Sequence, residues 1–149
     1  MQNYHCVKMK IENGFLGIPV VVSVQGKKIK AFITIDTGSN AGISFSNSIV
    51  SKYGIKSSDA FFETALRSDG FQKSFAIKSD TIQVGDFFLT EKTLKGKNFV
   101  SFAMNKQREY PFSGLLGTAL LEHFDIVLDL RNYCIYLKLI NSGTVQPIV

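Results

Sequence analysis

The stretch Ala31-Phe-Ile-Thr-Ile-Asp-Thr-Gly-Ser39 decides the fold of this chain of 149 residues. Ala31, Ile33 and Ile35 would lie on one face and Phe32 and Thr34 on the other, an alternation that predicts a β-strand. The strand leads directly into Asp36, Thr37 and Gly38, which are an acid, a hydroxyl and a glycine with a permissive backbone. An ordinary acidic turn at the end of a strand has the same composition, so the surrounding sequence has to decide what this loop does.

Short strands are predicted on both sides of this stretch. Residues 18–24 are rich in β-branched side chains, and Gln25-Gly26-Lys27 forms a turn into the strand that carries Asp36, which together predict a β-hairpin. Apolar and charged residues alternate over 7–12 and predict a first strand that ends at Asn13-Gly14. Residues 1–17 are otherwise mixed in composition, so the hairpin into Asp36 is the main β element expected before the acid.

Two short helices interrupt the strands that follow. After a predicted strand at Ile43–Phe45, Ser46 is a candidate helix N-cap and Gly54 a candidate helix end. Further on, Phe112-Ser-Gly-Leu-Leu-Gly117 precedes a second short helix, for which Thr118 is a candidate cap and which is expected to run to Phe124. The remaining predicted elements are hairpins around 67–70 and 85–86, a basic connector over 91–97, and strands over 98–103, 125–130 and 133–140. Many short strands, two short helices and no fixed repeat predict a mostly β, closed fold.

The order of these motifs resembles that of the retropepsin-like aspartic proteases, and especially their cellular and bacterial members. A hairpin leads into Asp36-Thr-Gly-Ser39, a second hairpin lies near Gly70, and Leu115-Leu-Gly117 is followed at once by a short helix. The likeness covers about residues 18–140. It implies a single domain over 1–149, built as a closed retropepsin-like β-barrel with a flap hairpin.

The resemblance also assigns roles to single residues. Asp36 matches the catalytic aspartate, Thr37 the threonine that bonds across to a partner loop, and Gly38 the glycine whose amide supports the carboxylate. The tentative flap that would close over substrate comprises Arg67, Ser68, Asp69 and Gly70. Support beneath the active-site loop is implied for Ser39, Leu115, Leu116 and Gly117.

The chemistry of this family needs two acids. Hydrolysis of a peptide without a covalent intermediate uses one group to activate water and another to protonate the substrate, and two carboxylates that share a proton supply both. The chain has one Asp-Thr-Gly, and Asp125 and Asp129 lack the following threonine and glycine. The resemblance therefore implies a homodimeric aspartic endopeptidase acting on peptides or proteins, with one Asp36 from each subunit. The alternative is a catalytically silent module of the same fold that binds peptides or dimerises.

Composition restricts the other functional classes. The net charge of +5 is typical of a solvated surface, and without an aromatic-basic motif we expect no nucleic-acid partner. The chain contains no run of about eighteen apolar residues, so no membrane span is predicted. No signal peptide is evident either, so a cytoplasmic location is expected. No cofactor and no metal are expected, since Cys6 and Cys134 lack the spacing of zinc ligands. These two cysteines are either core thiols or one disulfide joining the ends of the chain.

Overall fold

The structure, a computed structural model, describes residues 3–57, 60–67, 70–105 and 111–140. In chain order the strands are β1 (His5–Lys8), β2 (Lys10–Glu12), β3 (Phe15–Val24), β4 (Lys27–Ile35), β5 (Ile43–Phe45), β6 (Phe61–Arg67), β7 (Gly70–Lys78), β8 (Thr81–Val84), β9 (Phe87–Thr90), β10 (Phe99–Ala103), β11 (Gly114–Leu116), β12 (Phe124–Asp129) and β13 (Cys134–Leu139). The helices are α1 (Asn47–Tyr53), α2 (Glu91–Leu94) and α3 (Thr118–Leu121). The described part of the chain is thus mostly β, as predicted.

Ten strands form one large sheet. Its order is β6-β7-β10-β5-β11-β4-β3-β8-β9, and β2 pairs with the start of β3. Most neighbours are antiparallel, but β11 runs parallel to β4 and β10 parallel to β5. The long β3–β4 hairpin around Gln25 and Gly26 follows the sequence prediction, and both residues have the positive φ angles that a tight hairpin turn requires.

A second sheet of three strands, in the order β1-β13-β12, joins the two ends of the described chain. A disulfide between Cys6 and Cys134 links β1 to β13, which decides between the two alternatives that the sequence left open. The predicted first strand over 7–12 is divided at Met9, which is buried, and its two halves pair with different sheets.

The two sheets share one hydrophobic core. Ile29 and Ile33 of β4, Leu116 of β11, and Ile135 and Leu137 of β13 are almost completely buried. Burying each such side chain contributes about 1.5–3 kcal/mol to folding, so Ile29 and Ile33 anchor the strand that leads to Asp36 in the core.

Two features of the prediction are wrong. No sheet in the described residues closes into a barrel, because the path of strands ends at β6 on one side and at β9 on the other. The strands β1, β12 and β13 form a separate sheet. The described chain also has three helices rather than two, since α2 replaces part of the predicted connector over 91–97.

The two predicted helices are present with changed ends. The first begins after Ser46 and ends at Gly54, which adopts the left-handed conformation with φ 61°. The second ends at Leu121, and Phe124 begins the next strand. Gly117, rather than Thr118, holds its N-cap position, which leaves the threonine hydroxyl free for another contact.

Candidate active site

The loop that begins at Asp36 connects β4 to β5, the two strands that flank β11 in the sheet. β11 pairs with β4 on one side, where Leu116 lies opposite Ile35, and with β5 on the other, where Leu116 lies opposite Ile43. The Asp36 N–H donates to the Leu116 carbonyl at 2.9 Å and so extends this pairing by one residue. The start of the loop is therefore fixed to the most buried part of the sheet.

The two residues Gly38 and Ser39 of the loop donate hydrogen bonds back to Asp36. The Ser39 N–H donates to the Asp36 carbonyl at 3.2 Å, and the Gly38 N–H donates to Asp36 Oδ1 at 3.0 Å. A Cβ atom at position 38 would lie 3.2 Å from the same carboxylate oxygen, a tight contact that the carboxylate would relieve by moving a few tenths of an ångström. The half-buried carboxylate thus accepts a backbone hydrogen bond that fixes its orientation, while Thr37 beside it is exposed.

The start of α3 holds the far side of the loop. The Ser39 carbonyl accepts from both the N–H and the hydroxyl of Thr118, at 2.8 and 3.1 Å. The Gly117 N–H donates to the Gly42 carbonyl at 2.8 Å, and the Ala119 N–H donates to the Ala41 carbonyl at 3.2 Å. Four donors from one helix start therefore fix three carbonyls of the loop.

Gly117 allows this approach. A Cβ atom there would lie 2.3 Å from the Ala41 carbonyl oxygen and 2.8 Å from that of Ser39, both of which are backbone atoms. Its φ of −102° is open to any residue, so the requirement for glycine comes from space alone.

Comparison with solved structures identifies the architecture. A crystal structure described as a retropepsin-like aspartic protease from Rickettsia conorii matches with a TM-score of 0.60, at 20% sequence identity, over 92% of this chain and 100% of that chain. The chain has the retropepsin-like fold. No protein-family model and no curated protein matches the sequence. The resemblance inferred from the two motifs is therefore confirmed at the level of the fold.

Within this retropepsin-like fold, the structure brings together the predicted loop and its predicted support. Gly38 and Ser39 are both hydrogen-bonded to Asp36, the Leu116 carbonyl accepts from the Asp36 N–H, and Gly117 donates to Gly42 of the same loop. Leu115 pairs with Thr34 on the strand before the acid. The exposed hydroxyl of Thr37 has no hydrogen-bond partner among the described residues.

The sequence did not predict that Thr118 supports the loop. Thr118 was expected only to cap its helix, whereas its hydroxyl is bonded to the loop 79 residues earlier. The available signal was a hydroxyl directly after the glycine of the second motif, but a helix cap explained that residue equally well.

The predicted flap of the retropepsin-like fold is a hairpin. β6 pairs with β7 from Phe61 opposite Ala76 out to Arg67 opposite Gly70. Ser68 and Asp69, also expected in the flap, lie outside the described residues. Gly70 has φ 117°, a conformation that favours glycine at the point where the hairpin turns back.

Charge clusters do not indicate a metal site. Among the described residues, no group of three or more His, Cys, Asp or Glu side chains is placed to hold an ion. The helices of the same residues are too short and too polar to cross a membrane.

Proposed function

We propose that this protein is an aspartic endopeptidase whose active site forms between two copies of the chain. The observation that carries the proposal is the Asp36 loop, whose carboxylate accepts a backbone N–H while the surrounding carbonyls are fixed by β11 and α3. An acidic turn with no function does not need a glycine packed against two loop carbonyls at distances that exclude a Cβ. The fold shared with a described aspartic protease supports the same conclusion.

The mechanism assigns each residue of the loop a role. Asp36 of one copy and Asp36 of the other share a proton, because two carboxylates in contact cannot both ionise. The ionised acid takes a proton from water, which attacks the peptide carbonyl, and the protonated acid gives its proton to the substrate. The Gly38 amide donates to the Asp36 carboxylate and orients it, and the exposed Thr37 hydroxyl is available to the loop of the second copy.

Substrate would bind as an extended strand between the body and the β6–β7 hairpin, with Arg67, Ser68, Asp69 and Gly70 at its tip. Backbone hydrogen bonds give such a peptide its affinity, and alternate side chains enter pockets that set specificity. No cofactor or metal takes part in the proposed reaction, because the two carboxylates supply both acid and base.

The proposed compartment differs from the cytoplasm expected from the sequence. The disulfide between Cys6 and Cys134 argues against the cytoplasm, because reducing compartments rarely allow structural disulfides to persist.

The decisive experiment compares wild type with Asp36→Asn on a mixed peptide library between about pH 4 and 7, where a shared carboxylate proton is expected to titrate. Asp80→Asn is the matched control, since Asp80 is exposed and belongs to a turn that the site does not use. We expect cleavage by wild type and by the control, its block by a statine-type inhibitor, and none by Asp36→Asn. Equal cleavage by all three proteins would refute the proposal, and binding without cleavage would favour the silent module.

A further inference from the structure

The strands around Asp36 have one apolar face and one face that bears hydroxyl groups. Residues directly opposite each other on neighbouring strands share a face, so the register assigns each side chain to one of the two. The core face carries a row of apolar side chains: Ile35, Leu116, Ile43, Val100 and Ile77. The opposite face carries the row Thr34, Leu115, Ser44, Ser101 and Ala76. Asp36 follows Thr34 by two residues and lies on this second face, which we call the Asp36 face.

Gln72 of β7 belongs to the Asp36 face. It lies four residues before Ala76 on the same strand, and side chains two or four residues apart on a strand share a face. Gln72 pairs with Ala65 of β6, within the hairpin proposed as the flap and two residues from Gly70. The glutamine therefore lies on the side of the hairpin that continues the surface around Asp36.

The backbone next to Gln72 is held by the end of β10. The Met104 N–H donates to the Lys73 carbonyl at 2.8 Å, and the Lys73 N–H donates to Asn105 Oδ1 at 3.1 Å. In a regular antiparallel pair the Met104 carbonyl would accept this second bond, so the Asn105 side chain takes the place of a backbone group. Lys73 is thus fixed on both of its backbone groups, which sets the position from which the Gln72 side chain extends.

The Gln72 side chain is buried with an unpaired oxygen. It is 8% exposed, and its Oε1 has no hydrogen-bond partner in the part of the chain that the structure describes. Thr34 Oγ1, on the same face and 5% exposed, lacks a partner there as well. Such oxygens are rare in folded proteins, because an unpaired buried acceptor costs free energy. Two of them on the Asp36 face indicate a ligand that supplies hydrogen-bond donors.

We infer that Gln72 is a substrate-binding residue, whose Oε1 accepts a hydrogen bond from a backbone N–H of the bound peptide. This inference rests on the proposed endopeptidase function and names a residue that holds its substrate. Every extended peptide presents N–H donors along its length, so the contact does not depend on one substrate side chain. Because the oxygen is unpaired only in the free protein, pairing it contributes to the affinity for the peptide.

The test removes the acceptor and the donor separately. Gln72→Met keeps a side chain of similar shape without the oxygen. Gln83→Met is the matched control, because Gln83 lies on β8, outside the hairpin, and donates to the Gly85 carbonyl at 3.0 Å. The substrate is the library peptide that wild type cleaves best, together with analogues in which one backbone N–H at a time is replaced by an ester oxygen. Steady-state kinetics gives KM and kcat, and urea unfolding gives the stability.

We expect Gln72→Met to raise KM about 10-fold while kcat stays within about twofold of wild type, since the lost contact holds the substrate before and during the reaction. One ester analogue should raise KM by a similar factor in wild type and in Gln83→Met, and should have no further effect in Gln72→Met. The urea midpoint of Gln72→Met should equal or exceed that of wild type, because an apolar group replaces an unpaired acceptor.

A Gln72→Met protein with the KM of wild type, or with the same response to every ester, would overturn the substrate contact and leave the proposed endopeptidase intact. A lower urea midpoint for Gln72→Met would mean that the oxygen already has a partner in the free protein, which also contradicts the inference. A wild type that cleaves no peptide would instead refute the endopeptidase, and the substrate contact with it.

Discussion

Replacing Gly117 with alanine tests the support beneath the aspartate loop. The new Cβ would lie 2.3 Å from the Ala41 carbonyl oxygen, about 1 Å inside van der Waals contact. Because the clashing atom is backbone, the helix start and the loop have to move apart. Three hydrogen bonds join the helix start to the loop beside this contact, from the N–H groups of residues 117, 118 and 119 to carbonyls of the loop.

The cost follows from these contacts. Forcing an extra methyl into a packed site costs about 1–3 kcal/mol, and each weakened hydrogen bond adds up to about 1 kcal/mol. We expect Gly117→Ala to lower the free energy of unfolding by about 2–4 kcal/mol. A shift of about 1 Å at the carboxylate reduces catalysis about 100-fold, so activity should fall even where the protein remains folded.

Gly42→Ala is the matched control. Gly42 accepts the hydrogen bond from Gly117, but a Cβ atom on it would meet nothing within 4 Å. Urea unfolding should place this control within about 0.5 kcal/mol of wild type, with cleavage retained. If Gly117→Ala were as stable and as active as Gly42→Ala, the loop and α3 would not be in the contact described.

Three other measurements test separate parts of the fold. Reducing the disulfide, which spans 128 residues of sequence, should lower stability in urea by about 4–5 kcal/mol, and an unchanged midpoint would contradict its role in joining the chain ends. A side-chain hydrogen bond from Asn132 is the main cause that lowers the pKa of Asp129, and the backbone N–H of Asn132 adds to it. The stability that these hydrogen bonds contribute is therefore present above the pKa of Asp129 in the unfolded chain, and it is lost as the pH falls through the lower pKa of the folded protein. An NMR titration should show the low midpoint and its return toward the usual value in Asn132→Ala, whereas identical midpoints would count against the contact. Gly17→Ala should destabilise by about 1–3 kcal/mol, because its Cβ would lie 2.5 Å from the Phe112 ring, and adding Phe112→Leu should recover part of that loss in a double-mutant cycle.

Local sequence signals predicted the elements around the site well. The β3–β4 hairpin, the strand before Asp36, the Gly54 helix end and the β6–β7 hairpin all depend on turn residues and alternation within a few positions. The pairing of two distant motifs then predicted that Leu116 and Gly117 support the loop, and in the structure the Leu116 carbonyl accepts from the Asp36 N–H and the Gly117 N–H donates to the Gly42 carbonyl.

What the sequence did not predict depends on contacts between distant residues. Alternation over residues 7–12 predicted one strand, but which sheet each half joins depends on β3 and β13. Closure of the sheet likewise depends on whether its two edge strands pair with each other. The alternation of side chains within one strand does not indicate which strands pair. The single turn of α2 carries only one buried side chain, Leu94, which is too little for an apolar periodicity.

The bond between Ser39 and Thr118 also determines when the loop can form. Because 79 residues separate the two partners, the loop waits about 4–16 s for Thr118 during synthesis at about 5–20 residues per second. The β12 strand follows later still. A chain emerging from the ribosome therefore carries its aspartate on an unsupported turn, and the acid becomes fixed only when nearly the whole domain has been made.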